Sequence, residues 1–135
     1  MFTLICGVPN SGKTTYSKLF SPIYHSEDFF RGNYEQQFVD CNKFLSTLDF
    51  DFYIEGTYNT IAFRKELLEA CKHHKYKQCI YREISLETSL KRERRGRCLS
   101  SLKIAYKMLA PPTLDEGWEE IIVIHEDGTE TIQKR

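Results

Sequence analysis

The sequence has no excess of charge of either sign, no long apolar run, no paired cysteines and little glycine or proline. Its 135 residues carry 19 Lys and Arg against 19 Asp and Glu, so the formal net charge is zero. Nucleic-acid binders normally draw affinity from counterion release over a basic surface, so this balance excludes a uniformly basic face and leaves only local patches. No stretch reaches the roughly 18 consecutive apolar residues that span a bilayer. The opening Met1 to Asn10 lacks the basic region and small-residue cleavage site of a secretory leader. The expectation is a soluble, intracellular, cytoplasmic protein with no membrane partner. Cys6, Cys41, Cys71, Cys79 and Cys98 are scattered and never stand in Cys-x-x-Cys spacing. Neither a zinc site nor a disulfide framework is indicated, and the thiols are expected to be reduced and mostly buried. With 7 glycines and 4 prolines there is no linker, repeat or low-complexity tract. Residues 1–135 read as one domain with short loops and no partner domain.

What is present is an alternation of apolar runs and helical patterns, the mark of repeated strand–helix units and a parallel sheet. Thr3 to Cys6, ending at Gly7, reads as a central buried strand, and Ile23 to His25 as a weaker second one. From Tyr34 the positions Phe38, Cys41, Leu45 and Leu48 recur at helical spacing. Phe50 to Ile54 is a third strand, followed by a helix with Phe63, Leu67, Ala70 and Cys71 on one face. Lys77 to Ile84 is a fourth strand, Ser85 an N-cap, and Leu86 to about Arg95 a charged helix. A helix through Leu102, Ala105 and Leu109 stops at Pro111-Pro112, since proline clashes with the preceding turn. Ile121 to Ile124 supplies a fifth strand, and Asp127-Gly128 turns the chain towards a short antiparallel edge strand at Thr129 to Ile132.

Gly7-Val8-Pro9-Asn10-Ser11-Gly12-Lys13-Thr14 matches the Walker A pattern, with a strand before it and a helix after it. The bare pattern arises roughly once in a few hundred random chains of this length, before that context is required. Gly7 and Gly12 let the backbone turn, and the N–H groups around Asn10, Ser11, Thr14 and Thr15 face phosphate oxygens at a helix N-terminus. Lys13 would bridge the outer phosphates of ATP, and the Thr14 hydroxyl would ligate Mg²⁺.

The acceptor side lies elsewhere. Asp28 and Arg31 follow the second strand, where a parallel sheet presents its C-terminal edge to the ligand crevice. A carboxylate there can take the proton of an attacking hydroxyl, and an arginine can neutralise phosphate on the acceptor. Glu27 competes with Asp28 for the base role, and a solvated Asp–Arg pair is the plainer alternative. Glu55, at the end of the third strand, sits where a Walker B acid would hold Mg²⁺. Lys91 to Arg97 places five basic residues in seven, with Arg92 and Arg95 expected on one helix face and Arg94 and Arg97 beside them. Such a run is either a solvated face or a lid over the transferring phosphates.

The Walker loop through Thr15, followed by Ser26-Glu27-Asp28-Phe29-Phe30-Arg31, resembles the P-loop kinase module of polynucleotide 5′-hydroxyl kinases. Ala110-Pro111-Pro112-Thr113-Leu114-Asp115-Glu116-Gly117-Trp118-Glu119-Glu120-Ile121-Ile122-Val123-Ile124 resembles the segment leading into that family's last strand, and the likeness runs from Thr3 to Ile124. The resemblance implies a P-loop NTPase/kinase fold: an α/β domain with about five parallel strands ordered 2-3-1-4-5 and a short basic lid. It implies Asp28 as the base for a 5′-hydroxyl, Arg31 on acceptor phosphate, and Arg92 and Arg95 closing over ATP. Related kinases carry asparagine where this chain has Tyr58. The expected reaction is transfer of the γ-phosphate of ATP to the 5′-hydroxyl of an RNA or DNA end. A kinase for a nucleoside, nucleotide or other small molecule is the first alternative, and a non-catalytic or hydrolytic ATP-binding module the second. Trp118 is expected either to pack in the core or to stack on a base, Lys72 to Lys77 to cap a helix or bind a single strand, and His25 to be a strand residue without a role.

Overall fold

A computed structural model describes residues 1–135. Strands and helices alternate: β1 (Phe2–Gly7), α1 (Lys13–Ser17), β2 (Ile23–His25), α2 (Tyr34–Leu45), β3 (Phe52–Glu55), α3 (Ile61–Ala70), β4 (Lys77–Arg82), α4 (Leu86–Arg92), α5 (Leu99–Lys107), β5 (Glu120–Ile124) and β6 (Glu130–Lys134). Short 3-10 turns lie at Ser26–Phe29 and Leu114–Glu116. The strands form one sheet in the order β2-β3-β1-β4-β5-β6, parallel except for the pairing of β6 with β5. The order expected for the first five strands holds, and the sixth is the antiparallel return after Asp127-Gly128. No helix is long and apolar enough to cross a membrane.

Local chemistry sets the element ends. The side chains of Asn33, Thr60 and Ser85 accept the N–H groups of Gln36, Phe63 and Thr88, so α2, α3 and α4 each start on an N-cap. Helix α4 is shorter than its sequence pattern suggests. It ends at Arg92 because Glu93 leaves helical geometry and its Oε2 accepts the N–H groups of Arg95 and Arg97, closing a turn through Gly96 at φ +74°. Arg92 and Arg95 therefore do not share a helix face.

β1 is buried on both faces, as a central parallel strand must be. On one face Phe2, Leu4, Phe52, Ile54 and Ile121 pack against Phe38, Cys41 and Leu45 of α2 and Leu67 and Leu68 of α3. Burial of each such side chain contributes roughly 1.5–3 kcal/mol. The opposite face is thinner, with Ile5, Ile80 and Ile124 covered by Tyr16, Phe20 and Tyr53. Cys6, Cys41, Cys71 and Cys79 are buried free thiols, and Cys98 is exposed.

Trp118 is fully buried, edge-on to Phe2 at 5.9 Å, so it packs in the core and offers no face to a base. The segment before it is tied down by a buried ion pair. Arg64 donates to both oxygens of Glu116 at 2.7 and 3.0 Å and to the Tyr58 carbonyl at 2.9 Å. Burial pushes the Glu116 carboxyl up, but the Arg64 hydrogen bonds and charge outweigh it and leave the pKa below its ordinary value. The Lys72–Lys77 patch also has a structural role. His74 is buried, and its ring lies edge-on to Phe2 and Phe52 with Nε2 2.8 Å from the Leu48 carbonyl. That places it at the N-terminal edge of the sheet, away from the strand ends that follow Gly7, His25 and Glu55.

Candidate active site

The phosphate-binding loop runs from the end of β1 into α1. At Gly7 a Cβ would stand 2.6 Å from Ser11 Oγ and 2.7 Å from the Arg82 carbonyl, so only glycine permits that approach. Gly12 has φ +88° and Asn10 φ +66°, a left-handed conformation that asparagine tolerates. The Lys13 ammonium folds back over the loop to the Val8 carbonyl at 3.3 Å. Burial lowers its pKa, with the Glu55 carboxylate acting in the opposite direction.

Thr14 Oγ1 donates to Glu55 Oε1 at 3.1 Å, and the other Glu55 oxygen is 3.0 Å from His25 Nδ1. The sheet enforces this meeting, because Ile5, Glu55 and His25 are aligned across β1, β3 and β2. A hydroxyl and a carboxylate are hard oxygen donors that suit Mg²⁺, which usually takes its remaining ligands from water and phosphate. No cluster of three or more His, Cys, Asp or Glu side chains forms an all-protein metal cage. The residues therefore fit an ion shared with a nucleotide.

One cleft of about 1320 Å³ joins this loop to the acceptor side. Asn10, Gly12, Lys13, Thr14, Thr15, Glu55, Arg82, Arg92, Arg95 and Arg97 line it at the phosphate loop, and Glu27 and Asp28 line it after β2, with Phe30, Tyr34, Gln37, Thr57 and Asn59. Both carboxylates are exposed, so position does not choose between them. Gly7 and Ser11 shape the loop from below without lining the cleft. Arg31 departs from expectation: it is exposed on the turn at Gly32, makes no hydrogen bond or ion pair, and lies outside the cleft lining. Tyr58 likewise lies outside the cleft lining. It is buried edge-on to Phe38 at 5.0 Å, while its neighbours Thr57 and Asn59 turn into the cleft.

Some residues of the site escaped sequence reasoning. Arg82 ends β4, donates from Nε to the Ser11 carbonyl at 3.1 Å and lies 4.9 Å over the Tyr16 ring. His25 and Arg82 both stand at C-terminal strand ends, a placement that was the available signal for them. Asn10 is a junction. Its Nδ2 donates to the Ser89 carbonyl and to Glu93 Oε1, both at 2.9 Å, and its Oδ1 accepts Arg97 Nη2 at 2.9 Å. Glu93 Oε1 also accepts Arg97 Nε at 2.9 Å. The Asn10 hydrogen bond, with those of Arg97, holds the Glu93 carboxyl down at about 2. Arg92 donates to the Asn10 carbonyl at 3.3 Å, and the Arg95 side chain is unpaired.

No family model and no curated protein matches the chain. Solved structures do. A sugar kinase from Janibacter sp. HTCC2649 superposes with a TM-score of 0.74 at 16% identity, covering 92% of this chain and 84% of that one. A gluconokinase from Sinorhizobium meliloti 1021 gives 0.70 at 12% identity over 91% and 81%. Kti12 from Chaetomium thermophilum, in complex with ADP-AlF3, gives 0.68 at 12% identity over 94% and 90%. The chain has the fold of these structures.

Proposed function

We propose that the protein transfers the γ-phosphate of ATP to a hydroxyl group of a small-molecule acceptor. The observation that carries this reading is the single cleft with Lys13, Thr14 and Glu55 at one end, Asp28 and Glu27 at the other, and arginines along its wall. The acceptor oxygen attacks the γ-phosphorus, the bond to the β,γ-bridging oxygen breaks, ADP leaves, and the hydroxyl proton passes to Asp28. Lys13 holds the phosphates, and Arg95 offsets the charge spread over the transferring group, with Arg92 beside it on the cleft wall. Thr14 and Glu55 would hold Mg²⁺, which would supply further charge neutralisation.

The position of Arg31 outside the cleft lining favours a small acceptor over a polyanion. The structural likeness to a sugar kinase and a gluconokinase supports the same choice. Asp28-x-x-Arg31 and the Ala110–Ile124 segment favour a second reading, a 5′-hydroxyl nucleic-acid end. The test is purified protein with γ-labelled ATP, Mg²⁺ and a panel of polyols, nucleosides and 5′-hydroxyl oligonucleotides. Label on a polyol or nucleoside is the expected result, and label confined to oligonucleotides would transfer the assignment to the second reading. ADP release independent of every acceptor would make the protein a hydrolytic module and overturn both.

A further inference from the structure

The side chains of Asn10, Glu93 and Arg97 are hydrogen-bonded pairwise into a closed ring, in which each touches the other two at 2.9 Å. One member belongs to the phosphate loop and two to the turn after α4. We infer that this ring couples the phosphate loop to the basic lid: Glu93 is a positioning residue, Arg97 is its pin, and Arg95 is the arginine left free for the transferring phosphate. The inference rests on the kinase reading above for what Arg95 does, but the ring itself is independent of the acceptor.

The geometry divides the lid arginines by what already occupies them. Arg97 also lines the cleft, but it spends Nε on Glu93 and Nη2 on Asn10, and its backbone N–H on Glu93 Oε2. Turning that guanidinium towards a nucleotide would break the ring and leave Glu93, one-tenth exposed, without its charge partner. Arg94 is tied to the Lys91 and Glu93 carbonyls of its own turn and does not line the cleft. Arg92 lines the cleft but holds the Asn10 carbonyl. Arg95 is anchored through its backbone N–H to Glu93 Oε2 at 2.8 Å, which fixes where its side chain starts while leaving the guanidinium unpaired in the cleft wall. Asn10 is well suited to the junction. Its Nδ2 donates to the Ser89 carbonyl and to Glu93, and its Oδ1 accepts from Arg97, across a sequence separation of about 80 residues. A nucleotide that orders the loop backbone therefore orders the lid through the same side chain, and charge-assisted hydrogen bonds make the linkage directional.

Two readouts test this. The first is turnover and ATPγS affinity of Glu93→Gln, Arg97→Ala, Arg97→Lys, Arg95→Ala and the doubles Glu93→Gln/Arg97→Ala and Glu93→Gln/Arg95→Ala. Glu93→Gln and Arg97→Ala should each lower kcat about tenfold with ATPγS affinity changed less than about threefold, and their double should lose no more than the worse single. Arg97→Lys should behave like Arg97→Ala, since lysine keeps the charge but cannot span Asn10 and Glu93 together. Arg95→Ala should lose about a hundredfold, falling to about tenfold when measured against Glu93→Gln alone. Losses that multiply between Glu93 and Arg97, or an Arg97→Lys variant with wild-type kcat, overturn the assignment. The second readout needs no acceptor. Hydrogen bonds to Ser100 and Ser101 bring the exposed Cys98 thiol down to about 7, so a maleimide fluorophore attaches there, beside the lid, at neutral pH. ATPγS with Mg²⁺ should shift its emission in wild type and not in Glu93→Gln, with equal melting temperatures confirming that both are folded. Equal shifts in both proteins, or none in wild type, overturn the ring as a coupling device. Absent turnover in wild type alone overturns the kinase reading and leaves this fluorescence result to decide the ring.

Discussion

At the phosphate end of the cleft, side chains are tied across elements: Asn10 to Glu93 and Arg97, Arg82 to Ser11, and Thr14 through Glu55 to His25. At the acceptor end Glu27, Asp28, Phe30 and Tyr34 stand exposed, and the nearly buried Gln37 amide has only a 3.5 Å contact to Ser26. The difference follows from what each end must do. Phosphate charge is the same in every turnover, so fixed donors that need no reorganisation serve it best. An acceptor brings its own shape, and the groups that meet it await a partner. The sharpest way to break this contrast is to remove one residue from each end. Lys13→Ala should lose turnover and weaken ATP binding together. Asp28→Asn should lower kcat by about 10²–10⁴ while ATPγS binding survives, because a proton acceptor acts in the chemical step alone. Retained turnover in Asp28→Asn with loss in Glu27→Gln would move the base to Glu27.

The next effect concerns the wall behind the acceptor end. Arg64 joins α3, the Tyr58 carbonyl and Glu116, so Arg64→Ala leaves a buried carboxylate without its charge partner. Urea unfolding should show a loss of about 3–5 kcal/mol. A loss under about 1 kcal/mol would mean that the exposed end is held by something other than this pair.

The two ends also differed in how far they could be read from the chain. Gly7 to Thr15 and Glu55 were legible because phosphate binding needs particular residues at fixed spacing next to a strand. The sheet order was available through the resemblance, and the strands through their apolar runs. The ring was not legible, since Asn10, Glu93 and Arg97 meet only after α4 stops at Arg92, and that stop depends on a side chain accepting backbone N–H groups. Periodicity continues the helix to about Arg95 and puts Arg92 and Arg95 on a common face. The placement of Arg31 outside the cleft lining was not legible for a related reason: a motif fixes its spacing, but the turn at Gly32 decides where the side chain goes.

His25 offers a subtler probe of the phosphate end. It touches no reacting group, yet it fixes one oxygen of Glu55 at 3.0 Å while the other accepts Thr14. Partners of this kind behind a metal-binding carboxylate are worth 10- to 100-fold in metal affinity. His25→Ala should therefore raise the Mg²⁺ concentration for half-maximal turnover about tenfold, with ATPγS binding in the absence of Mg²⁺ unchanged. An unchanged Mg²⁺ requirement would show that the ties at this end are redundant.

The smallest effect is expected where the site is least tied. The Phe30 and Tyr34 rings lie 4.8 Å apart at a tilt of 32°, on the cleft wall, with Tyr34 72% exposed. So exposed a ring contributes little to the folded chain, and Tyr34→Ala should leave the melting temperature near that of wild type. An acceptor seated against the pair would cover it, and an aromatic contact of this kind is worth about 0.5–1.5 kcal/mol. Tyr34→Ala should then raise the acceptor KM about two- to tenfold without moving kcat or the ATP KM, the pattern of a group that binds ground state and transition state alike. A fall in kcat of the same size would instead make Tyr34 part of the arrangement that aligns the hydroxyl with the γ-phosphate, and the geometry of the acceptor end would then be no less fixed than that of the phosphate end.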